Sequence, residues 1–141
     1  MNLNWWPWKR KTPAHLRTGE WGEKQAARML DRKGYRILGQ RVRVGKRDEL
    51  DIVARQGEVL VFVEVKTRKG EEYGRPISSV DRFKRHSLSR AAIRYMKQLR
   101  EKPDYFRFDV VEIVGSEDSA DPVVRHVENA FTLDRGYRIP W

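Results

Sequence analysis

The sequence predicts a mixed α/β fold, a five-stranded mixed sheet flanked by helices. Three observations predict it. Two segments, 19–33 and 78–100, repeat apolar residues at helical spacing; five short segments, 35–44, 49–55, 59–67, 105–114 and 123–127, have the composition of strands; and the order helix, three strands, helix, two strands interleaves the two types. With 141 residues the chain suits one domain around a single core. We divide it into a basic aromatic arm over 1–17, a main domain over 18–135 and a tail over 136–141.

The arm holds Trp5, Trp6 and Trp8 beside Lys9, Arg10, Lys11 and Arg17. Pro7 and Pro13 discourage a continuous helix there. The first helix carries Ala26, Ala27 and Leu30 on one stripe, and Gly34 supplies its stop. Glu23 falls on that same stripe, so its carboxylate needs a partner or a path to solvent. Gln56-Gly57 between the second and third strands reads as a two-residue hairpin loop. The third strand, Val59-Leu60-Val61-Phe62-Val63-Glu64-Val65-Lys66, is almost continuously apolar, as expected of a central strand covered on both faces. Ser78, with Asp81 three positions on, is expected to cap the second helix. The buried stripe of that helix is Val80, Leu88, Ala91, Ala92, Tyr95 and Leu99, and Pro103 follows its end.

Charge points to the class of partner. Thirty Lys and Arg outnumber 20 Asp and Glu, giving +10 and a pI near 10.1. Such an excess favours a polyanion, because each neutralised phosphate releases condensed counterions. Segment 78–102 alone carries eight Lys or Arg against Asp81 and Glu101. The chain has no cysteine, which excludes disulfides, zinc–thiolate sites and cysteine nucleophiles. No apolar run approaches the roughly 18 to 20 residues of a membrane span, and the first ten residues lack the apolar stretch of a secretory signal. A cytoplasmic location is the expectation. His15, His86 and His126 are too scattered to assign a role.

One constellation carries chemistry. Glu64 and Lys66 interrupt the most hydrophobic strand and share a face with Leu60 and Phe62. A buried carboxylate must be compensated. If Gln56-Gly57 is the loop, Arg55 faces Glu58, Asp51 faces Phe62 diagonally from Glu64, and Glu49 faces Glu64. Glu49, Asp51, Glu64 and Lys66 then cluster on one side of the sheet, with diagonal neighbours roughly 7–8 Å apart. A surplus of acid over base argues for a bound cation, and oxygen-only ligands favour Mg²⁺ or Mn²⁺. Such an ion suits hydrolysis of a phosphodiester, with Lys66 positioning water or neutralising developing charge. The competing reading is an ion-pair network that only stabilises the sheet.

These residues resemble the PD-(D/E)XK nuclease superfamily, and within it the YraN-like family of predicted endonucleases. The likeness rests on Gly19-x-x-Gly22-Glu23, Glu49-Leu50-Asp51-Ile52-Val53, Phe62-Val63-Glu64-Val65-Lys66-x-Arg68, Arg107-Phe108-Asp109-Val110-Val111 and Asn129-Ala130-Phe131, and it runs from about 15 to 133. The resemblance implies a restriction-endonuclease-like core similar to Holliday-junction resolvases. It implies Asp51 and Glu64 as metal ligands, Lys66 as the catalytic lysine, Glu23 as a helix-borne acid added to the site, and Lys84 as an auxiliary phosphate contact. Two positions depart from the family pattern: Asp48 stands where Gly is usual, and Arg41 where Asn is usual. Arg43, Arg68, Arg85, Arg90 and Arg94 complete the expected nucleic-acid contacts. The reading is a Mg²⁺-dependent endonuclease acting on DNA, branched substrates included. A non-catalytic nucleic-acid-binding protein that keeps the fold is the runner-up, and a basic interaction module for a membrane surface or a protein the third. Resolvases of similar fold often pair, so a homodimer is an expectation as well.

Overall fold

The computed structural model describes residues 14–70 and 80–141. Its elements are α1 (Ala14–Arg32), β1 (Arg36–Val44), β2 (Asp48–Gln56), β3 (Val59–Arg68), α2 (Arg82–Lys97), β4 (Tyr105–Val114) and β5 (Val123–Phe131). The strands form one sheet in the order β1-β2-β3-β4-β5. All pairs are antiparallel except β3 with β4. That parallel pair requires a crossover, and α2 lies within it. This is the α/β class and mixed five-stranded sheet expected, consistent with a restriction-endonuclease-like fold. Among the described residues no helix is long and apolar enough to cross a membrane.

Two cores sandwich the sheet. On one face Ala26, Ala27 and Leu30 of α1 cover Ile52, Ala54, Val61, Val63, Val111 and Ile113. On the other, Leu88, Ala91, Ala92, Ile93 and Met96 of α2 cover Val53, Leu60, Phe62, Phe108 and Val110. β3 is therefore buried from both sides, which is why its sequence lacks the alternation of a half-exposed strand.

Several boundaries differ from expectation, each for a local reason. α1 begins at Ala14, inside the segment assigned to the arm. It ends as expected: the Gly34 amide bonds the Asp31 carbonyl and the Tyr35 amide that of Leu30, the double closure of a Schellman stop. α2 begins at Arg82, and Asp81 rather than Ser78 is its cap. The Asp81 Oδ1 accepts from the Lys84 amide at 2.8 Å, while Ser78 lies outside the described residues. β5 runs on to Phe131, four residues past its expected end. Its far half is fastened by Asp109, a fully buried carboxylate that meets Arg107 Nε at 2.9 Å, His126 Nε2 at 2.8 Å and the Asn129 amide at 2.9 Å. Burial works against its charge, but these three donors outweigh it and hold the Asp109 carboxyl below the usual range. Asn129 adopts φ 51° beside the register shift between Phe108 and Val110. The two late motifs thus build a strand junction, and His126 has a structural role that its isolation in the sequence concealed.

The β2–β3 hairpin also differs by one step. Gln56 pairs with Val59, so the loop is Gly57-Glu58 instead of Gln56-Gly57. Gly57 supplies the positive φ (58°) that the first position of the loop demands. Asp51 and Glu64, the residues just beyond the Ile52–Val63 pair, consequently stand opposite one another rather than diagonally. The even shift leaves Glu64 and Lys66 on their shared face, but Leu50 and Val53 of β2 both enter the α2-side core, so Glu49 is exposed and does not join the expected cluster.

Asp48 occupies the turn into β2, where it accepts Arg90 Nε at 2.8 Å and Nη2 at 2.7 Å. Its side chain is 5% exposed and that of Arg90 17%, so Arg90 is committed to a fold-forming pair that ties α2 to the sheet. The hydrogen-bonded guanidinium holds the Asp48 carboxyl below its ordinary range. Removing one partner strands the other charge, so Arg90→Ala should lower unfolding free energy by about 3 kcal/mol in urea titrations. If Arg90 instead gripped phosphate, the variant would keep its stability and lose affinity for DNA.

Candidate metal and phosphate site

Pairing between β2 and β3 ends at Ile52 and Val63, and Asp51 and Glu64 are the next residues outward. There the strict alternation of β2 also lapses: Leu50 and Val53 both enter the α2-side core, with Ile52 on the α1 side. Asp51, at this break, uses its carboxylate to cap the open ladder, its Oδ2 accepting from the Val65 amide at 2.9 Å. Glu64 is 4% exposed and lies on the face of Leu60 and Phe62. Its Oε1 is 3.6 Å from Lys66 Nζ and 3.4 Å from Lys84 Nζ. Its Oε2 is buried without a hydrogen-bond partner.

Burial, and then the facing Glu64, push the Asp51 carboxyl up to about 7. Two acids share one small space there, offset by the Val65 amide on Asp51 and by lysine ammonium groups. Glu23, on α1, is raised too: burial does most of this, the bond from Arg41 opposes it, and the charges of Asp51 and Glu49 add to it. α1 approaches this closely because residue 22 is glycine; a Cβ there would collide with the Thr67 side chain of β3. The resulting open cleft, about 570 Å³, is lined by Thr18, Gly19, Glu23, Val65, Lys66, Thr67 and Lys69.

The expected residues do not all converge. Asp51, Glu64, Lys66 and Lys84 form the centre. Glu23 borders it, but its Oε2 receives Arg41 Nε at 2.6 Å. Arg41 also reaches Glu20 at 3.4 Å. Arg41 stands between the pairs Gln40–Ile52 and Val42–Leu50, opposite Asp51, and its φ of 50° departs from strand geometry. Sequence reasoning flagged position 41 as unusual without seeing it as the partner of Glu23; the three-residue turn before Asp48 was the available signal, since it sets that register. Glu49 is exposed and pairs in register with Arg43. Among the described residues no three of His, Cys, Asp or Glu are arranged to hold one ion. The four-carboxylate set of Glu23, Glu49, Asp51 and Glu64 is thus reduced to the pair Asp51 and Glu64. A pair still suits Mg²⁺, which commonly takes one or two carboxylates and fills its other positions with water and phosphate oxygens. The unpartnered, buried Oε2 of Glu64 fits such an ion.

The cationic candidates divide likewise. Arg68 Nε lies 3.3 Å from Glu112, a buried acid that also receives Arg125 at 3.0 Å. Arg85 bonds the Val80 carbonyl at 3.2 Å and rests 5.7 Å from the Phe131 ring. Arg43 and Arg94 are exposed. His86, left unassigned from sequence, bridges Asp134 and Tyr137.

The profile of the Uncharacterised protein family UPF0102 matches residues 22–113. The chain belongs to this family. It is 44% identical over 115 residues to a UPF0102 protein of Symbiobacterium thermophilum, covering 82% of this chain and 96% of that one. A UPF0102 protein of Geobacter metallireducens is 41% identical over 115 residues, covering 82% and 92%. One of Pelobacter propionicus is 43% identical over 123 residues, covering 86% of each. The family membership expected from the ordered motifs is thereby established, and the match runs from Gly22 within α1 through most of β4 and includes the carboxylate pair.

A raised carboxyl favours its protonated form in the folded state, so its contribution is fully present below the unfolded value and lost as pH rises through the folded one. The metal-free protein should therefore lose stability between about pH 4 and pH 7. Asp51→Asn removes that loss: in EDTA its Tm should exceed that of the parent by about 5 °C at pH 8, with the difference shrinking toward pH 4. Parallel pH profiles would show that Asp51 is not held in this state.

Proposed function

We propose that this UPF0102 protein is a metal-dependent endonuclease that hydrolyses phosphodiester bonds of DNA. One observation carries the reading: Glu64, buried in the most apolar strand with an unpartnered oxygen, faces Asp51 across the sheet and meets only lysine ammonium groups. Glu112 Oε1 is likewise without a hydrogen bond, but it lies 3.3 Å from the Arg68 guanidinium, whereas Glu64 is met by lysines that can yield to a cation. Asp51 and Glu64 would hold Mg²⁺ or Mn²⁺, which supplies water activation and neutralises the charge of in-line attack.

The chain's own groups then have defined tasks. Hydrolysis joins a water oxygen to phosphorus and breaks the bond to the leaving oxygen, which departs with a proton. Lys66, partly exposed in the cleft and beside Glu64, offers a hydrogen bond to the attacking water and positive charge to the phosphoryl oxygens. Lys84, on the first turn of α2 and 3.4 Å from the same Glu64 oxygen, would add a second ammonium to the phosphate. The net charge of +10 draws the strand in.

The engagement of Glu23 by Arg41 favours the runner-up, a nucleic-acid-binding protein without catalysis, because it withdraws a third acid. Purified protein incubated with duplex, flap and junction DNA should cleave with Mn²⁺ and stop with EDTA. Lys66→Ala should slow cleavage about 100-fold and Asp51→Asn at least as much, with DNA affinity held in both. Strong, salt-dependent binding with no cleavage of any substrate by any divalent metal would decide for the runner-up.

A further inference from the structure

Phe83 stands on the first turn of α2 with 85% of its surface exposed, more than any other large hydrophobic residue among the described ones. A single exposed apolar side chain needs no ligand; the surroundings of this one are what matter. Its neighbours in the turn are Arg82, Lys84 and Arg85. Arg82, Arg85 and Arg135 line an open cleft of about 470 Å³ with Val80, Asp81 and Asp134. Both acids there are engaged elsewhere: Asp81 caps α2 through the Lys84 amide, and Asp134 meets His86 Nδ1 at 3.1 Å. The cleft thus sets three guanidinium groups against two carboxylates, and Arg85, whose Nε bonds the Val80 carbonyl, keeps its terminal nitrogens for an anion. Lys84, the next residue after Phe83, reaches Glu64 at 3.4 Å, so the helical turn that carries the ring also reaches the candidate site.

From this juxtaposition we infer that Phe83 is a stacking platform for an unpaired base, with the flanking phosphates held by Arg82, Arg85 and Arg135. Aromatic rings beside cationic grooves are the recurring device for single-stranded nucleic acid, because every base has a face to stack. In an intact duplex the base faces are covered by their neighbours, so the ring has nothing to meet. The substrate class is DNA carrying an unpaired nucleotide next to the phosphate at the carboxylate pair, as in a single strand, a flap or a fork. This rests on the nucleic-acid reading above, but not on cleavage.

The test uses the full chain in EDTA, where no cleavage occurs. A single-stranded oligonucleotide and a blunt duplex, each carrying 2-aminopurine, are titrated with the parent protein, Phe83→Ala and Phe83→Trp. We expect quenching of the single-stranded probe by the parent and by Phe83→Trp, and about tenfold weaker binding of it by Phe83→Ala, with duplex affinity unchanged. Unaltered single-strand binding by Phe83→Ala, an equal loss on both probes, or no binding of either probe by the parent overturns the inference. Because Phe83 is exposed, circular dichroism should match across the variants. A protein that stacks and never cleaves would sink the hydrolytic reading and leave this one standing.

Discussion

The architecture of the site depends on one unfavourable juxtaposition, the burial of Glu64 against Asp51 at the point where β2 and β3 part. Burial first, and the neighbouring Glu64 charge second, raise the Asp51 carboxyl. The fold tolerates the arrangement because hydrophobic burial of β3 on both faces anchors the strand, and two lysines partly offset the charge. Around this strain the remaining elements are arranged: α1 closes over the end of β3 through Gly22, and α2 delivers Lys84.

The other buried acids make the contrast. Asp48 is grasped bidentately by Arg90, Asp109 by Arg107 with His126, and Glu112 by Arg68 with Arg125. Each is answered by a guanidinium, whose planar fork locks a carboxylate in place. Glu64 alone in this group of buried acids is met by ammonium groups only, at 3.4 and 3.6 Å. A lysine is a rotatable point charge that can let go when a phosphate or a cation arrives. The same protein thus uses arginine where the pair is permanent and lysine where it is exchangeable. That distinction moves Arg90 and Arg68, both expected to grip phosphate, into the framework.

How far the site could be read in advance followed from periodicity. Glu64 and Lys66 share a face whatever the hairpin register, because alternation is a property of the strand itself. Their partner across the sheet depended on where the loop fell, and a one-residue displacement of both loop positions, from Gln56-Gly57 to Gly57-Glu58, exchanged a diagonal neighbour for a direct one. Glu23 was legible as a carboxylate on an apolar stripe that required a partner. That the partner is Arg41, turned out of strand geometry, was not, since the contact joins α1 to an edge strand eighteen residues away. Position 81 was read as a helper of Ser78 and is itself the cap, because the helix starts one turn later.

By itself the sequence determined the α/β class, the element order, the central burial of β3, the cationic character and the presence of acid and base on one face of that strand. These are local or compositional properties, set by side-chain period and charge. Only tertiary structure decided which carboxylates meet, which arginines are consumed in ion pairs, and that Phe83 stands uncovered beside Lys84. Those outcomes depend on distances between segments remote in the chain, and a linear pattern holds no information about distance until the packing of the two helices on the sheet supplies it.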